Sequence, residues 1–186
     1  MRKTIIHFHP NSVYSEYFVK PLMESEEKLG YEVTLVNSLN SKENQTNSNI
    51  TREHIRFDLN LENLLLLPLS FIKVLILFKK IKPTYIVSHN IRSSLLPLLA
   101  GKVHGRSKLI YFNHGVSYLG HKGIIRYILK LIEYINCKIA DHIIAVSQHA
   151  KQELLKLTKT NISVIKNGSA CGIDLKIFSK KNNPLS

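Results

Sequence analysis

The chain has 186 residues, which is enough for one well-packed domain and short for two. Apolar residues make up 44% and charged residues 21%, so the composition excludes a chain that is largely disordered. Lys and Arg total 26 against 13 Asp and Glu, and the net charge of +13 favours polyanions, anionic lipid headgroups or phosphorylated substrates without selecting one of them.

Six short apolar runs rich in β-forming residues alternate with stretches of helical periodicity. The runs predict strands at 4–9, 32–37, 85–90, 108–114, 142–147 and 162–167. The intervening stretches predict helices at 14–29, in parts of 62–82, and at 91–103, 123–140 and 148–158. Most runs are too far apart for hairpins, so they predict an α/β fold with a single Rossmann-like, doubly wound parallel sheet.

Local signals refine some of these boundaries. Gly30 is placed to end the first helix, and Ser147 is placed to cap the helix that opens at Gln148. Segment 38–53 is rich in Ser, Asn and Thr without an apolar period, so we expect an exposed loop there. In helix 123–140, packing on the sheet is expected to bury the apolar stripe that includes Ile124, Ile128 and Leu131.

Segment 61–82 is the most apolar part of the chain, but Pro68, Ser70 and Lys73 interrupt it. A bilayer-spanning helix needs about 20 mainly apolar residues, so a spanning helix is not expected. Two alternatives remain, of which a buried crossover helix is favoured. The other is a helix that lies in a membrane interface and turns its lysines toward the headgroups.

The cell compartment is indicated by the chain start and the cysteines. The opening MRKTIIHFHP is too short in its apolar part, and too interrupted by histidine, for a signal peptide. Cys137 and Cys171 match no metal or redox spacing and are expected to be reduced. We therefore expect a cytoplasmic location.

Polar residues gather where the predicted strands end, and parallel sheets bind ligands beyond the carboxyl ends of their strands. The strand-end residues are His7 and His9, then Ser88, His89 and Asn90, then Asn113, His114 and Gly115, then Ser147 and Gln148, and finally Asn167, Gly168 and Ser169. Each is weak alone, because Asn, Ser and Gly end strands for turn and capping reasons. Their convergence predicts a ligand site at this edge.

The segment around His114 carries the sharpest hypothesis. Gly115 permits a close backbone approach or a positive φ, and His114 supplies a group that hydrogen-bonds a sugar hydroxyl or a phosphate. Beyond them, Lys122 and Arg126 would suit a diphosphate over the start of the next helix. The alternative, a solvated basic turn, remains open.

Several known motifs are absent from the sequence. It contains no Gly-rich dinucleotide fingerprint after the first strand, no P-loop lysine, no zinc-ligand spacing and no nucleophile elbow. Redox, kinase-like and hydrolase functions therefore lose support. No metal site is expected, and nucleic-acid binding is disfavoured because recognition motifs and stacking aromatics are missing.

Four stretches occur in an order that resembles the N-terminal domain of GT-B, family-4-like glycosyltransferases over about residues 85–178. They read SHNIRSSLLPLLAGKVHG, LIYFNHGVSYLGHKG, IADHIIAVSQHAKQELL and ISVIKNGSACGID. Their most specific parts are ADHIIAVS at 140–147, His114-Gly115, and NGSACGID at 167–174. The first loop, HPNSVYSEYF, departs from many relatives because it lacks their glycine pair.

The resemblance implies a division of the chain and roles for its residues. Residues 1–178 would form the acceptor-side domain, 179–186 would begin an interdomain linker, and the C-terminal donor-binding domain would lie outside the chain. His114 would contact the donor sugar at the reacting centre, with Gly115 allowing the approach. Together with the strand ends and the basic turn described above, this gives the candidate substrate-binding residues Gly115, His89, Asn90, Ser147, Asn167, Gly168, Ser169, Lys122 and Arg126.

The leading hypothesis is therefore one domain of a glycosyltransferase that moves a sugar from a nucleotide-sugar to a lipid-linked or growing glycan in surface-polysaccharide biosynthesis. The nucleotide-sugar is a co-substrate, and no cofactor is expected. A C-terminal domain or a partner chain would supply the donor half, and the protein would touch the inner face of the cytoplasmic membrane. The alternative is a non-catalytic, truncated domain that binds anionic lipid or glycan.

Overall fold

A computed structural model of the protein describes residues 2–39, 50–60, 62–166 and 168. These residues form one fully parallel sheet in the order β3-β2-β1-β4-β5-β6-β7. The strands are β1 (Thr4–Asn11), β2 (Glu32–Leu39), β3 (Thr51–His54), β4 (Tyr85–His89), β5 (Lys108–Asn113), β6 (His142–Ala145) and β7 (Ile162–Val164). The predicted doubly wound α/β fold is confirmed.

Helices connect the strands and cover both faces of the sheet. They are α1 (Ser12–Phe18), α2 (Lys20–Lys28), α3 (Leu67–Ile81), α4 (Ile91–His104), α5 (Gly123–Ile139) and α6 (Gln148–Leu155). Short 3-10 helices precede α3 at Leu64–Leu66 and α5 at Ser117–Gly120. The predicted cap of α6 is confirmed, because Ser147 Oγ accepts a hydrogen bond from the Ala150 amide at 3.1 Å.

The prediction of one helix over 14–29 was wrong in its detail, because α1 and α2 are separated at Val19. Pro21 lies in the first turn of α2 and has no amide hydrogen to donate to the preceding turn. A helix tolerates proline only in its first turn, so α1 cannot continue through Pro21 and a new helix begins just before it. Gly30, at φ +87°, then reverses the chain into β2.

The predicted loop at 38–53 was also wrong in part. β2 continues to Leu39, and Thr51–His54 form the edge strand β3, which pairs with Thr34–Asn37. This strand has the sequence Thr-Arg-Glu-His and is half-exposed, so it shows none of the apolar alternation that identifies an inner strand. Residues 40–49 of the predicted loop lie outside the described part of the chain.

The main core lies between the sheet and the layer formed by α3, α4 and α5. Its fully buried side chains include Ile6, Phe8, Val74, Phe78, Ile86, Leu98 and Tyr111. α3 is therefore a packed crossover helix, which supports the favoured interpretation of segment 61–82. Among the described residues, none of the helices combines the length and the apolar content that crossing a bilayer requires.

The expected burial of the α5 apolar stripe was wrong in part. The buried residues of α5 are Leu129, Glu133, Asn136 and Cys137. Ile124 is 71% exposed, and Ile128 and Leu131 are also exposed, whereas Ile132 and Ile139 are partly buried against the core. The polar members of the buried face make specific hydrogen bonds, since Glu133 accepts from Asn113 and Asn136 donates to the Ile91 carbonyl.

Candidate functional site

The strand order places a topological switch point between β1 and β4. From β1 the chain winds outward to β2 and β3, and from β4 it winds the other way to β7. Loops diverge at such a point and leave a crevice at the carboxyl ends of the strands, where α/β proteins bind ligands. The predicted strand-end histidines lie at this crevice.

The register of the sheet brings the histidines onto one face. His7 pairs with Val87, and His89 pairs with Phe112. Partners in a parallel sheet point to the same side, and side chains alternate along each strand. One face therefore carries His7, His9, His89 and His114.

Hydrogen bonds join three of these rings into a row that ends on a carboxylate. His114 Nε2 lies 2.9 Å from His89 Nδ1, and His89 Nε2 lies 3.0 Å from His7 Nδ1. His7 Nε2 then lies 2.8 Å from Glu26 Oε2 on α2. Phe112 stacks against the rings of both His89 and His114, with centroids 5.3 and 4.8 Å away. The row is thus fixed by bonds along it and by packing across it.

Burial keeps His89 and His114 neutral. Desolvation, followed by the neighbouring His7, His114 and His9, lowers the pKa of the wholly buried His89 well below its usual value. Burial, followed by His9, lowers the pKa of His114 to about 4. At neutral pH these two imidazoles carry no charge, so each has one N–H donor and one acceptor nitrogen.

His9 lies beside the row and is bonded differently. Its Nδ1 lies 2.7 Å from the Asn11 carbonyl oxygen and 3.3 Å from the Asn11 amide, and its Nε2 lies 3.4 Å from Asn90 Nδ2. Burial lowers the pKa of His9 to about 4 despite the opposing bond to Asn11. Asn90 takes φ +66°, an uncommon conformation for a residue other than glycine, and such strain is concentrated at functional sites.

A cavity of about 270 Å³ opens in front of His114. Its walls combine polar strand-end groups with two aromatic side chains from α1, and they are formed by His9, Pro10, Asn11, Tyr14, Phe18, Asn90 and His114. A second hollow of about 330 Å³ shares Pro10 and Asn90 and adds Asp58, Asn60 and Arg92. Larger hollows of about 430 and 690 Å³ lie at the amino ends of the strands and contain none of the predicted site residues.

The turn after β5 is supported from the other face of the sheet. Gly115, at φ +146°, donates its amide to Asn113 Oδ1 at 3.0 Å. Asn113 Nδ2 donates in turn to Glu133 Oε1 at 3.0 Å and lies 3.2 Å from the Tyr111 hydroxyl. Burial raises the pKa of Glu133 to about 7, although hydrogen bonds from Tyr111 and Asn113 oppose this rise. The conformation of the His114-Gly115 turn therefore depends on a buried polar network.

The structure separates the predicted site residues into groups. His114, Gly115, His89 and Asn90 lie together at the crevice. Ser147 uses its hydroxyl to cap α6. Gly168 packs on the end of β6, where an added Cβ would lie 2.5 Å from the Val146 carbonyl oxygen.

The remaining predicted residues lie apart from the histidine row. Lys122 and Arg126 are exposed at the start of α5, and within the described part of the chain no hydrogen bond or ion pair connects them to the row. Asn167 and Ser169 lie outside the described residues. Within the described ranges, no group of three or more His, Cys, Asp or Glu side chains could hold a metal ion.

Sequence reasoning missed several residues at the site. Tyr14 and Phe18 are spaced i, i+4 directly after β1, and this spacing could have marked them as a shared aromatic wall. Glu26, Asp58 and Glu133 gave no signal, because their positions depend on packing between elements distant in sequence.

A parallel Rossmann-like sheet with a polar crevice at its switch point defines the class of domain that forms each half of a GT-B protein. The chain is similar over 99% of its length to 47% of a glycosyltransferase from Rickettsia africae, with 20% identity and a TM-score of 0.70. It is also similar over 89% of its length to 44% of MnaA of S. aureus, solved with UDP, at 16% identity and a TM-score of 0.65. At these identities the likeness shows the fold.

The sequence identifies the family. The model of Glycosyltransferase Family 4 matches residues 16–170, and the chain belongs to this family. Over 119 residues it is 33% identical to the capsular polysaccharide biosynthesis glycosyltransferase CapM of Staphylococcus aureus. That match covers 62% of the chain and 31% of CapM, so the chain spans about a third of this curated relative. The resemblance to a GT-B, family-4-like N-terminal domain is confirmed.

Proposed function

We propose that the chain is the acceptor-side domain of a glycosyltransferase that moves a sugar from a nucleotide-sugar to a lipid-linked or growing glycan in surface-polysaccharide biosynthesis. The observation that carries this proposal is the hydrogen-bonded histidine row at the switch point of a Family 4 domain, in which His89 and His114 have lowered pKa values. The similarity to CapM, a capsular polysaccharide biosynthesis glycosyltransferase, supports a polysaccharide acceptor. Residues 1–178 form this domain, and 179–186 begin the linker to the donor-binding half.

In this proposal His114 acts at the reacting centre by hydrogen bonding and not as a nucleophile. An uncharged imidazole positions a sugar hydroxyl without adding a charge beside the donor diphosphate, and positioning supplies much of the rate in such reactions. The strained turn at Gly115 brings the backbone close to the substrate. His89 and Asn90 hold His114 and His9 in place. No cofactor takes part, since the nucleotide-sugar is the second substrate.

The cavity in front of His114 suits a glycan acceptor. Tyr14 and Phe18 are exposed aromatic side chains, and the polar residues Asn11 and Asn90 line the same cavity. Carbohydrates offer apolar C–H faces and polar edges, so such a mixed wall matches them. Most donor contacts, including Lys122, Arg126, Asn167, Gly168 and Ser169, would form only when the second domain or a partner chain closes over this edge.

The outer surface of the α3–α5 layer supports contact with the cytoplasmic membrane. α5 exposes Ile124 and Tyr127, each to 71%, between the exposed cations Lys122, Arg126 and Lys130. α3 exposes Leu69, Ile72 and Ile76 in the same layer. Apolar side chains flanked by cations are typical of surfaces that enter an anionic membrane interface. The same surface favours the second candidate, a non-catalytic domain that binds anionic lipid.

Sugar transfer separates the two candidates. Radiolabelled UDP- and GDP-sugars are offered with membrane lipid extract to the chain alone and to the chain together with a donor-domain partner. We expect transfer only with the partner, and we expect His114→Ala to lower the rate by about 100-fold or more. His149→Ala, an exposed histidine on α6, is the matched control and should leave the rate unchanged. Lipid binding without transfer in any combination would instead support the non-catalytic domain.

A further inference from the structure

The histidine row extends well beyond the cavity, and the proposed role of His114 uses only its outer end. From His114 the hydrogen bonds run through His89 on β4 and His7 on β1 to Glu26 on α2, whose side chain is 15% exposed. His7 and His89 are buried and line none of the four cavities described above. Packing alone does not require a row of three imidazoles that ends on a carboxylate, because apolar side chains would fill the same space without the cost of desolvating polar groups.

Counting hydrogens assigns a donor and an acceptor to each hydrogen bond of the row. With a carboxylate at Glu26 and one hydrogen on each imidazole, His7 donates from Nε2 to Glu26 and accepts at Nδ1. His89 then donates from Nε2 and accepts at Nδ1. His114 consequently donates from Nε2 to His89. Three hydrogens satisfy three bonds, and the one lone pair left over is on Nδ1 of His114.

We propose that Glu26, His7 and His89 are positioning residues that fix the tautomer of His114, so that His114 Nδ1 offers the cavity a hydrogen-bond acceptor. Nδ1 makes no hydrogen bond to any described residue, and its ring lines the cavity. The group that binds there is a hydroxyl or another donor, whereas a phosphate oxygen or carbonyl is repelled. The relevance to a sugar hydroxyl rests on the proposed function. The assignment of the His114 tautomer is independent of the proposed function.

The tautomer is measured directly by long-range ¹H–¹⁵N NMR on the ¹⁵N-histidine-labelled chain, with His114 assigned by its absence in His114→Gln. We expect Nε2 of His114 to be protonated and Nδ1 to be unprotonated. A buried hydrogen bond that is left unmade costs enough to favour the bonded tautomer by about tenfold or more. Observation of the Nδ1–H tautomer in the wild-type chain would overturn the proposal.

Glu26→Lys tests the direction of the row. Lysine only donates, so it requires an acceptor at His7 Nε2 and reverses every bond up to His114. We expect His114 to change to the Nδ1–H tautomer in this variant. Glu27→Lys changes the charge equally on the next residue of α2, which has no bond to His7, and should leave the tautomer as in wild type. An unchanged His114 in folded Glu26→Lys would show that Glu26 does not set it.

The wild-type measurement needs no variant, so it decides the proposal even where Glu26→Lys does not fold. Activity provides a separate readout with the donor-domain partner present. In Glu26→Lys, we expect a fall of about tenfold or more in kcat with little change in KM for the donor. A confirmed tautomer without any sugar transfer would overturn the proposed function and leave the histidine row established.

Discussion

At the scale of single residues, Gly115 has a positive φ, although its site has room for a larger side chain. Its φ is +146°, yet an added Cβ would meet no heavy atom within 4 Å. Gly115→Ala should therefore destabilise the domain by backbone strain alone, by about 1–3 kcal/mol in urea unfolding. Gly120→Ala is the control, because that site is equally open and its φ is not positive. An equal loss in both variants would remove the strain argument.

Glu133 is a buried acid whose protonation affects stability. Burial raises its pKa to about 7 in the folded state from an ordinary value of 4.5. Between these values the folded state retains a proton that the unfolded state has lost, so the free energy of unfolding falls as pH rises. Glu133→Gln cannot titrate and can still accept from Asn113. It should gain about 3 kcal/mol relative to wild type between pH 4 and pH 8.

The measurement for Glu133 is urea unfolding of both proteins across that pH range. Glu62→Gln removes a carboxyl from an exposed position and serves as the control. A constant difference between Glu133→Gln and wild type at every pH would mean that folding does not shift the pKa of Glu133.

At the scale of secondary-structure elements, α4 packs closely on the sheet through Gly101. A Cβ at this position would lie 2.5 Å from Leu109 Cδ2 on β5 and 3.0 Å from Ile86 Cδ1 on β4. Both side chains are fully buried and have little room to move. Gly101→Ala should therefore cost about 1–3 kcal/mol, against the gain that alanine normally brings to a helix interior.

Leu109→Val tests whether this cost arises from the contact. Valine removes the methyl groups that the new Cβ would meet, so Gly101→Ala should be less costly in the Leu109→Val background. The double-mutant cycle in urea unfolding should show a favourable coupling of about 0.5–3 kcal/mol. Additive effects would place the cost of Gly101→Ala elsewhere in α4.

The elements also show which parts of the fold are encoded locally. The strands β1, β4 and β5 were predictable because inner parallel strands are rich in apolar and β-branched residues and stand out as short runs between helical stretches. The edge strand β3 was not, because an edge needs apolar groups on neither face. Ile124, Ile128 and Leu131 of α5 were predicted to be buried and are exposed, since periodicity gives the width of an apolar face but not what that face packs against.

At the scale of the whole molecule, the site combines features that topology predicts with features that only packing provides. Parallel strands bring their carboxyl ends to one edge, so the convergence of His89, His114 and Gly115 followed from the strand pattern. The link from His7 to Glu26 did not, because it requires the register between β1 and β4 and the rotation of α2. Residues 40–49 and the motif beyond Gly168 lie outside the described residues.

The outer surface of the α3–α5 layer and the net charge of +13 predict binding to anionic membranes. Replacing Ile124 and Tyr127 together by Asp removes two apolar groups and adds two negative charges at positions that are 71% exposed, so folding should be unaffected. We expect Kd for phosphatidylglycerol vesicles to rise by at least about tenfold, since burial of each side chain contributes about 1.5–3 kcal/mol when complete.

Leu29→Asp changes an equally exposed leucine at the end of α2, on the opposite side of the sheet, and should leave vesicle binding unchanged. Binding of the wild-type chain should also weaken with added salt and with neutral lipid, because each cation near an anionic surface contributes about 1 kcal/mol that salt screens. Sedimentation with vesicles measures all of these. Equal binding by the Ile124 and Tyr127 double variant, or binding indifferent to lipid charge, would show that this layer is not a binding surface for anionic membranes.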